Sequence, residues 1–113
     1  TPREAAGQGV YARFLALVER HYLDRWAVPR YARRLGLSAE RLNRQLRAQC
    51  GRQALELIHE RLAREARRRL IYLDTPVSRL AFELGFNDPA YFTRFFRRHA
   101  GLSPSEFRSR YAD

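Results

Sequence analysis

The sequence has no methionine, no lysine and a single cysteine, Cys50, in 113 residues. One thiol forms no internal disulfide, which agrees with a reducing, cytoplasmic compartment. No run of about eighteen apolar residues and no signal-peptide pattern occurs, so neither a membrane span nor secretion is expected. Strand signals are missing too: apolar and polar residues never alternate for long, and there is no Asn-Gly-type hairpin. The chemistry of an enzyme is equally thin. His59-Glu60 opens a zinc-protease-like pair, but the position that needs the second histidine is Ala63. With no cysteine pair, glycine-rich phosphate loop or paired carboxylates, no catalytic residue, metal ligand or cofactor is expected. The lack of methionine, with a beginning that reads TPREAAGQG, gives the expectation of a domain excised from a longer protein.

What the chain does have is positive charge. Arginine supplies all 22 basic residues against 12 acidic ones, a net charge of +10. A guanidinium fork pairs bidentately with phosphate and with guanine edges in a way that an ammonium cannot. Such an excess on a small domain points to a polyanionic partner. A membrane surface is also polyanionic, but no segment joins a basic face to a fully exposed apolar one, so no membrane partner is expected. Apolar residues make up 45% of the chain, enough for a core. At this length that means one compact unit, or two very small ones sharing a helix.

Capping and stop residues predict seven helices and an all-α fold. Val10, Phe14, Leu17, Val18 and His21 mark the first, about 9–23. A second runs from about Pro29 to Leu35, stopped by Gly36. Ser38 caps a third, about 39–49, ended by Gly51. The long fourth, about 53–72, carries Leu55, Ile58, Leu62, Ala66 and Leu70 along one side. Asp74-Thr75-Pro76 breaks the chain before a fifth, about 77–84. Asp88 and Pro89 open a sixth, about 89–99, closed by Gly101. Ser103-Pro104-Ser105-Glu106 forms a capping box for the seventh, to about Tyr111. Residues 1–8 read as loose, Trp26 and Tyr31 as packing residues, and Cys50 as a small buried hydrophobe.

The sixth helix carries the most information. At 100° per residue, Tyr91, Phe92, Phe95, Phe96 and His99 fall on one side, and Ala90, Thr93, Arg94, Arg97 and Arg98 on the other. Aromatics hold the helix while small residues and arginines face outward. That face suits close approach to nucleic acid; from this helix alone, a solvated face would look the same.

An internal repeat separates the two. ARRLGL at 32–37 matches AFELGF at 81–86, an offset of 49. After one extra residue in the second copy the offset becomes 50, and Leu42 matches Phe92, Arg44 Arg94, Leu46 Phe96, Arg47 Arg97, Gly51 Gly101 and Glu56 Glu106. The third helix divides as the sixth does: Leu42 and Leu46 inward, Glu40, Asn43, Arg44 and Arg47 outward. A short helix, a glycine turn and a second helix with a polar-basic face make a helix-turn-helix, here present twice. The fourth helix, roughly 30 Å long at 1.5 Å per residue, would act as a rod between the copies, against about 34 Å between successive major-groove faces of B-DNA. The expected organisation is a loose segment 1–8, a first subdomain 9–51, a linker helix 52–73 and a second subdomain 74–113.

The pattern A-x-x-L-G-F-x-D-x-x-Y-F-x-R-x-F-x-x-x-x-G-x-S-P-x-x-F-R at 81–108 closely resembles that of AraC/XylS-type bacterial transcriptional regulators, and YARRLGLSAERLNRQLRAQCGRQALELIHERLAREARRRL upstream is similar to the family's first helix-turn-helix and linker helix. The resemblance covers about residues 26–110. It implies two homeodomain-like subdomains joined by a long helix, with the third and sixth helices in adjacent major grooves of double-stranded DNA. It also implies an effector-binding or dimerisation domain outside this chain, RNA polymerase as a partner of the full regulator, and a monomeric isolated domain. Base contacts then fall on Glu40, Asn43 and Arg44, and on Pro89, Ala90, Thr93 and Arg94. Pro89 and Ala90 replace positions that are polar in some relatives, so readout by the sixth helix would rest on Thr93 and Arg94, with Ala90 meeting at most a thymine methyl. Ser38, Arg41, Arg47, Asn87, Arg97 and Arg98 are expected at phosphates.

Blander readings accompany several of these. Glu40 accepts from a cytosine or simply suits the positive end of a helix. Arg67-Arg68-Arg69, near a helix C-terminus, reads as a solvated face. A helical protein-interaction module or a non-specific nucleic-acid-binding module is the alternative function, and neither explains the duplicated arginine faces.

Overall fold

The computed structural model describes residues 9–112; residues 1–8, read above as loose, and residue 113 lie outside the described residues. Among the described residues are seven α-helices and no strand: α1 Val10–His21, α2 Val28–Arg34, α3 Ala39–Cys50, α4 Ala54–Tyr72, α5 Val77–Glu83, α6 Pro89–Ala100 and α7 Pro104–Tyr111. Each lies within two residues of its expected place. The largest difference is at the end of α1, where Tyr22–Asp24 tightens into a 3₁₀ turn and Arg25 takes a left-handed φ of 58°. His21 Nδ1 and Asp24 Oδ2, 2.8 Å apart, close that turn. The stacking of His21 on Trp26 accompanies this stop, and no capping residue announces it. The chain divides into two compact units between His59 and Glu60, inside α4.

In the first unit Phe14 and Val18 of α1, Tyr31 and Ala32 of α2, Leu42 and Leu46 of α3, and Ala54, Leu57 and Ile58 of α4 are buried. Phe14 meets Tyr31 edge to face at 5.5 Å between ring centroids. Burial, then the nearby Asp24, pushes the Tyr31 hydroxyl up to about 12. Trp26 packs as expected, stacked on His21 at 3.9 Å, with the Arg30 guanidinium 4.3 Å from its ring centroid. Two expectations need correcting here. Leu55 is 52% exposed, because Ala54 and Leu57 take the buried positions of that turn. Cys50 is only half-buried, its Sγ donating weakly to the Arg52 carbonyl at 3.8 Å.

The second unit buries Leu62, Ala63, Ala66 and Leu70 of α4 with Leu80, Ala81, Leu84, Phe86, Phe92, Phe95, Phe96 and Phe107. It also holds a charge that sequence reasoning missed. Glu65 is 6% exposed, and its carboxylate is gripped by Arg68 (Nε–Oε1 3.0 Å, Nη2–Oε2 2.8 Å) and Arg69 (Nε–Oε2 2.8 Å). Arg68, then Arg69, hold the carboxyl down to about 2 against the opposing effect of burial. The 67–69 run is therefore not a plain solvated face, since two of its arginines neutralise a buried acid. Arg108 secures the other end of α4, donating from Nε to Leu70 O at 3.1 Å and from Nη2 to Leu73 O at 3.2 Å. Those are carbonyls a helix C-terminus leaves without internal partners.

Candidate nucleic-acid interface

The two helix-turn-helix turns are built from the same backbone bonds. After α2, Gly36 at φ 73° donates to Arg33 O at 3.0 Å and Leu37 N–H to Ala32 O at 2.9 Å. After α5, Gly85 at φ 89° donates to Phe82 O at 3.0 Å and Phe86 N–H to Ala81 O at 2.9 Å. A Cβ on Gly36 would meet nothing within 4 Å, so the left-handed backbone, not crowding, calls for glycine there. Asn87 is the extra residue of the second turn. The N-cap accordingly falls on Ser38 in one unit, accepting from Arg41 N–H at 3.1 Å, and on Asp88 in the other, accepting from Ala90 N–H at 2.9 Å. Gly51 and Gly101 end the two helices alike, donating to Arg47 O and Arg97 O.

On α3, Leu42 and Leu46 are fully buried, and Glu40, Arg41, Arg44 and Arg47 are exposed, as is the cap Ser38. On α6, Phe92, Phe95 and Phe96 are buried, while Ala90, Arg94, Arg97, Arg98 and the preceding Asn87 are exposed and Pro89 is half-buried. Each helix thus brings its expected residues onto one face, and three details differ from expectation. Tyr91, placed on the apolar side by the wheel, is 49% exposed; its ring leans on Phe86 at 5.7 Å with the Arg94 guanidinium 5.9 Å from its centroid. Thr93 is half-buried, its hydroxyl donating to Pro89 O at 3.1 Å. Asn43 is half-buried, its Oδ1 accepting from Ala54 N–H at 2.9 Å. The missed signal was in the sequence: Gln53-Ala54 stands where the other copy has Ser103-Pro104, so Ala54 carries an amide proton that needs an acceptor.

Arginines outnumber acids on both faces, with Glu40 the acidic member on α3. Arg44 and Arg47 form no ion pair with another described residue. Arg97 lies 3.8 Å from Glu106, with both side chains 60% exposed, a contact that solvent and ions exchange easily. His99, at the end of α6, is held below its ordinary pKa by burial and by Arg98 and Arg67, against the pull of Glu60. Among the described residues no cluster of His, Cys, Asp or Glu could hold a metal ion, and no helix is long and apolar enough to cross a membrane.

A helix-turn-helix domain family matches residues 31–110. The transcriptional regulator ExsA of Pseudomonas aeruginosa is 29% identical over 96 residues, covering 85% of this chain and 34% of that protein. The transcriptional activator RhaS of Escherichia fergusonii is 33% identical over 94 residues, covering 83% of this chain and again 34% of the relative. The chain therefore spans about a third of the length of these curated relatives. In fold it is similar to the C-terminal domain of AraT, a response regulator from Geobacillus stearothermophilus, with a TM-score of 0.86 at 20% identity over 94% of this chain and 88% of that one. It is also similar to the DNA-binding domain of the global transcriptional factor AdpA, solved in complex with a target DNA, with a TM-score of 0.73 at 29% identity over 86% of this chain and 91% of that one. By its duplicated glycine turns, its paired polar-basic helix faces and the family match over most of its length, the chain belongs to the AraC-type helix-turn-helix family of transcriptional regulators.

Proposed function

We propose that the chain binds double-stranded DNA sequence-specifically, as the DNA-binding part of a bacterial transcriptional activator, with α3 and α6 entering successive major grooves. The observation that carries this is the repeated frame. Two helices are capped, stopped and buried in the same way, and each turns a polar-basic face to solvent. A single functional surface would need only one such frame. Glu40, Asn43 and Arg44 on α3, and Ala90, Thr93 and Arg94 on α6, are the proposed base readers, with Pro89 setting the start of α6. Ser38, Arg41, Arg47, Asn87, Arg97 and Arg98 are the proposed phosphate contacts, which position the helices without reading sequence. Residues 9–51 and 74–113 act as the two subdomains, joined through 52–73.

The relatives' longer chains leave room for an effector domain outside this segment, with RNA polymerase as a partner of the whole regulator in the cytoplasm. The isolated chain is proposed to act as a monomer. Titration of a labelled duplex at rising salt tests the reading. Binding should weaken steeply, with a log–log slope of about −0.9 per neutralised phosphate, and selection from random duplexes should enrich one site. A chain that binds every duplex equally is a non-specific nucleic-acid binder, and one with no salt-dependent binding is a protein-interaction module.

A further inference from the structure

The first four amide protons of any helix lack partners inside it. In α4 the first belongs to Ala54, preceded by Gln53, which is not a capping residue; the Gln53 amide itself donates to Glu56 Oε1 at 3.3 Å. The Asn43 carbonyl, reaching over from α3, supplies the missing acceptor for Ala54. In the second unit the equivalent of Ala54 is Pro104, which has no amide proton, and Ser103 caps α7 from its own N-cap position, accepting from Glu106 N–H at 3.1 Å. Position 93 is therefore released from capping. A threonine occupies it, and its hydroxyl proton is given to the Pro89 carbonyl one turn back.

We infer that Asn43 and Thr93, equivalent in the repeat, read bases of opposite hydrogen-bonding polarity, Asn43 selecting guanine as a donor and Thr93 selecting cytosine or adenine as an acceptor. This rests on the base-contact reading above and adds the chemistry of each contact. A free asparagine pairs with adenine by accepting from N6 and donating to N7. With Oδ1 turned to the α4 amide and one of its two lone pairs taken there, Asn43 offers the base chiefly its Nδ2 protons, and Nδ2 is neither buried nor bonded to another described residue. Guanine, with acceptors at both O6 and N7, is the edge that two donors fit, and the N6 amine of adenine faces no acceptor. Thr93 is the reverse. A carbonyl can only accept, so the Pro89 bond uses the hydroxyl proton and leaves Oγ1 its lone pairs. Those lone pairs fit the exocyclic amine of cytosine or adenine and not the O6 or O4 of guanine or thymine.

Selection of bound duplexes from a random library tests this, with the 113-residue chain and three variants. Asn43→Asp keeps an acceptor for Ala54 but has no donor, so guanine preference should fall by about tenfold or more at one position of the site. Ala54→Pro removes the amide that engages Oδ1, and proline suits a first helical position; the same base position should move from guanine towards adenine. Thr93→Val should abolish the preference for cytosine or adenine at a different position and leave the rest of the site unchanged. Guanine preference that survives Asn43→Asp at every position, or a native site with adenine at the position that Asn43→Asp alters, would overturn the assignment. A native chain that enriches no sequence at all would overturn the base-contact reading itself, an outcome distinguishable from one in which the site stands and only these substitutions are silent.

Discussion

In the first unit the helix after the glycine turn is anchored by Leu42 and Leu46; in the second the matching anchors are Phe92 and Phe96, joined by Phe86, Phe95 and Phe107. Phe96 meets Phe107 edge to face at 5.3 Å, and Phe86 lies 5.1 Å from both Phe92 and Phe95. Both turns nevertheless hold their glycine in the left-handed region and repeat the same two hydrogen bonds at the same lengths. The frame is thus a matter of backbone and caps, and side chains of different volume can fill it provided the apolar stripe stays in register. The polar side differs more. In the first unit a proposed base reader, Asn43, also holds the start of α4. In the second, the proposed reader Thr93 caps no other helix, and Phe107, Arg108 and the Glu65 cluster hold the unit together. Evolution or design could then change Thr93 more freely than Asn43.

The largest effect should come from the aromatic anchor. Phe96→Ala should destabilise the second unit by about 3–5 kcal/mol, detected by circular dichroism and limited proteolysis as loss of α6 and α7 with α1–α3 surviving. Simultaneous loss of both units would break the comparison by showing that neither is stable without the other. Next comes acid. The Glu65 carboxyl titrates at about 2 in the folded chain against a reference value of 4.5. Its contribution, on the order of 3 kcal/mol, is therefore present above about pH 4.5 and lost as pH falls towards 2. Denaturant melts across that range should show the second unit weakening first, and Glu65→Gln should flatten the dependence.

Smaller effects separate readers from clamps. Arg44→Ala should cost about 1–3 kcal/mol of binding and relax preference at one base position. Arg97→Ala should weaken binding to all duplexes and lower the salt slope by about one. Equal behaviour of the two across a panel of sequences would erase the distinction. The smallest effect sharpens the comparison of equivalent positions: Asn43→Ala should cost about 1 kcal/mol of stability through the lost cap, and Thr93→Ala no more than about 0.5 kcal/mol, both read from thermal melts.

Nearly every helix and both turns could be read from local signals, because Gly36, Gly51, Gly85, Gly101 and the Ser and Asp caps act within one turn of the chain. What escaped depends on which particular side chains meet, a detail that neither capping signals nor the wheel resolves. The 3₁₀ turn at Tyr22–Asp24 accompanies the stacking of His21 on Trp26. Glu65 is polar by type and is buried only because Arg68 and Arg69 neutralise it. Tyr91 sits at the margin of the apolar face, where an amphipathic ring can lie half outside. Asn43 was legible as a polar-face residue, but its engagement with Ala54 bridges eleven residues between two helices.

The central claim is that each unit reads its own stretch of DNA. Hydroxyl-radical footprinting of the native chain, Arg44→Ala and Arg94→Ala on one selected duplex tests it most directly. The native chain should protect two segments about one helical turn apart, within roughly 16–20 base pairs. Arg44→Ala should thin one segment and Arg94→Ala the other. A single protected stretch of about five or six base pairs, or loss of the same segment in both variants, would contradict the account.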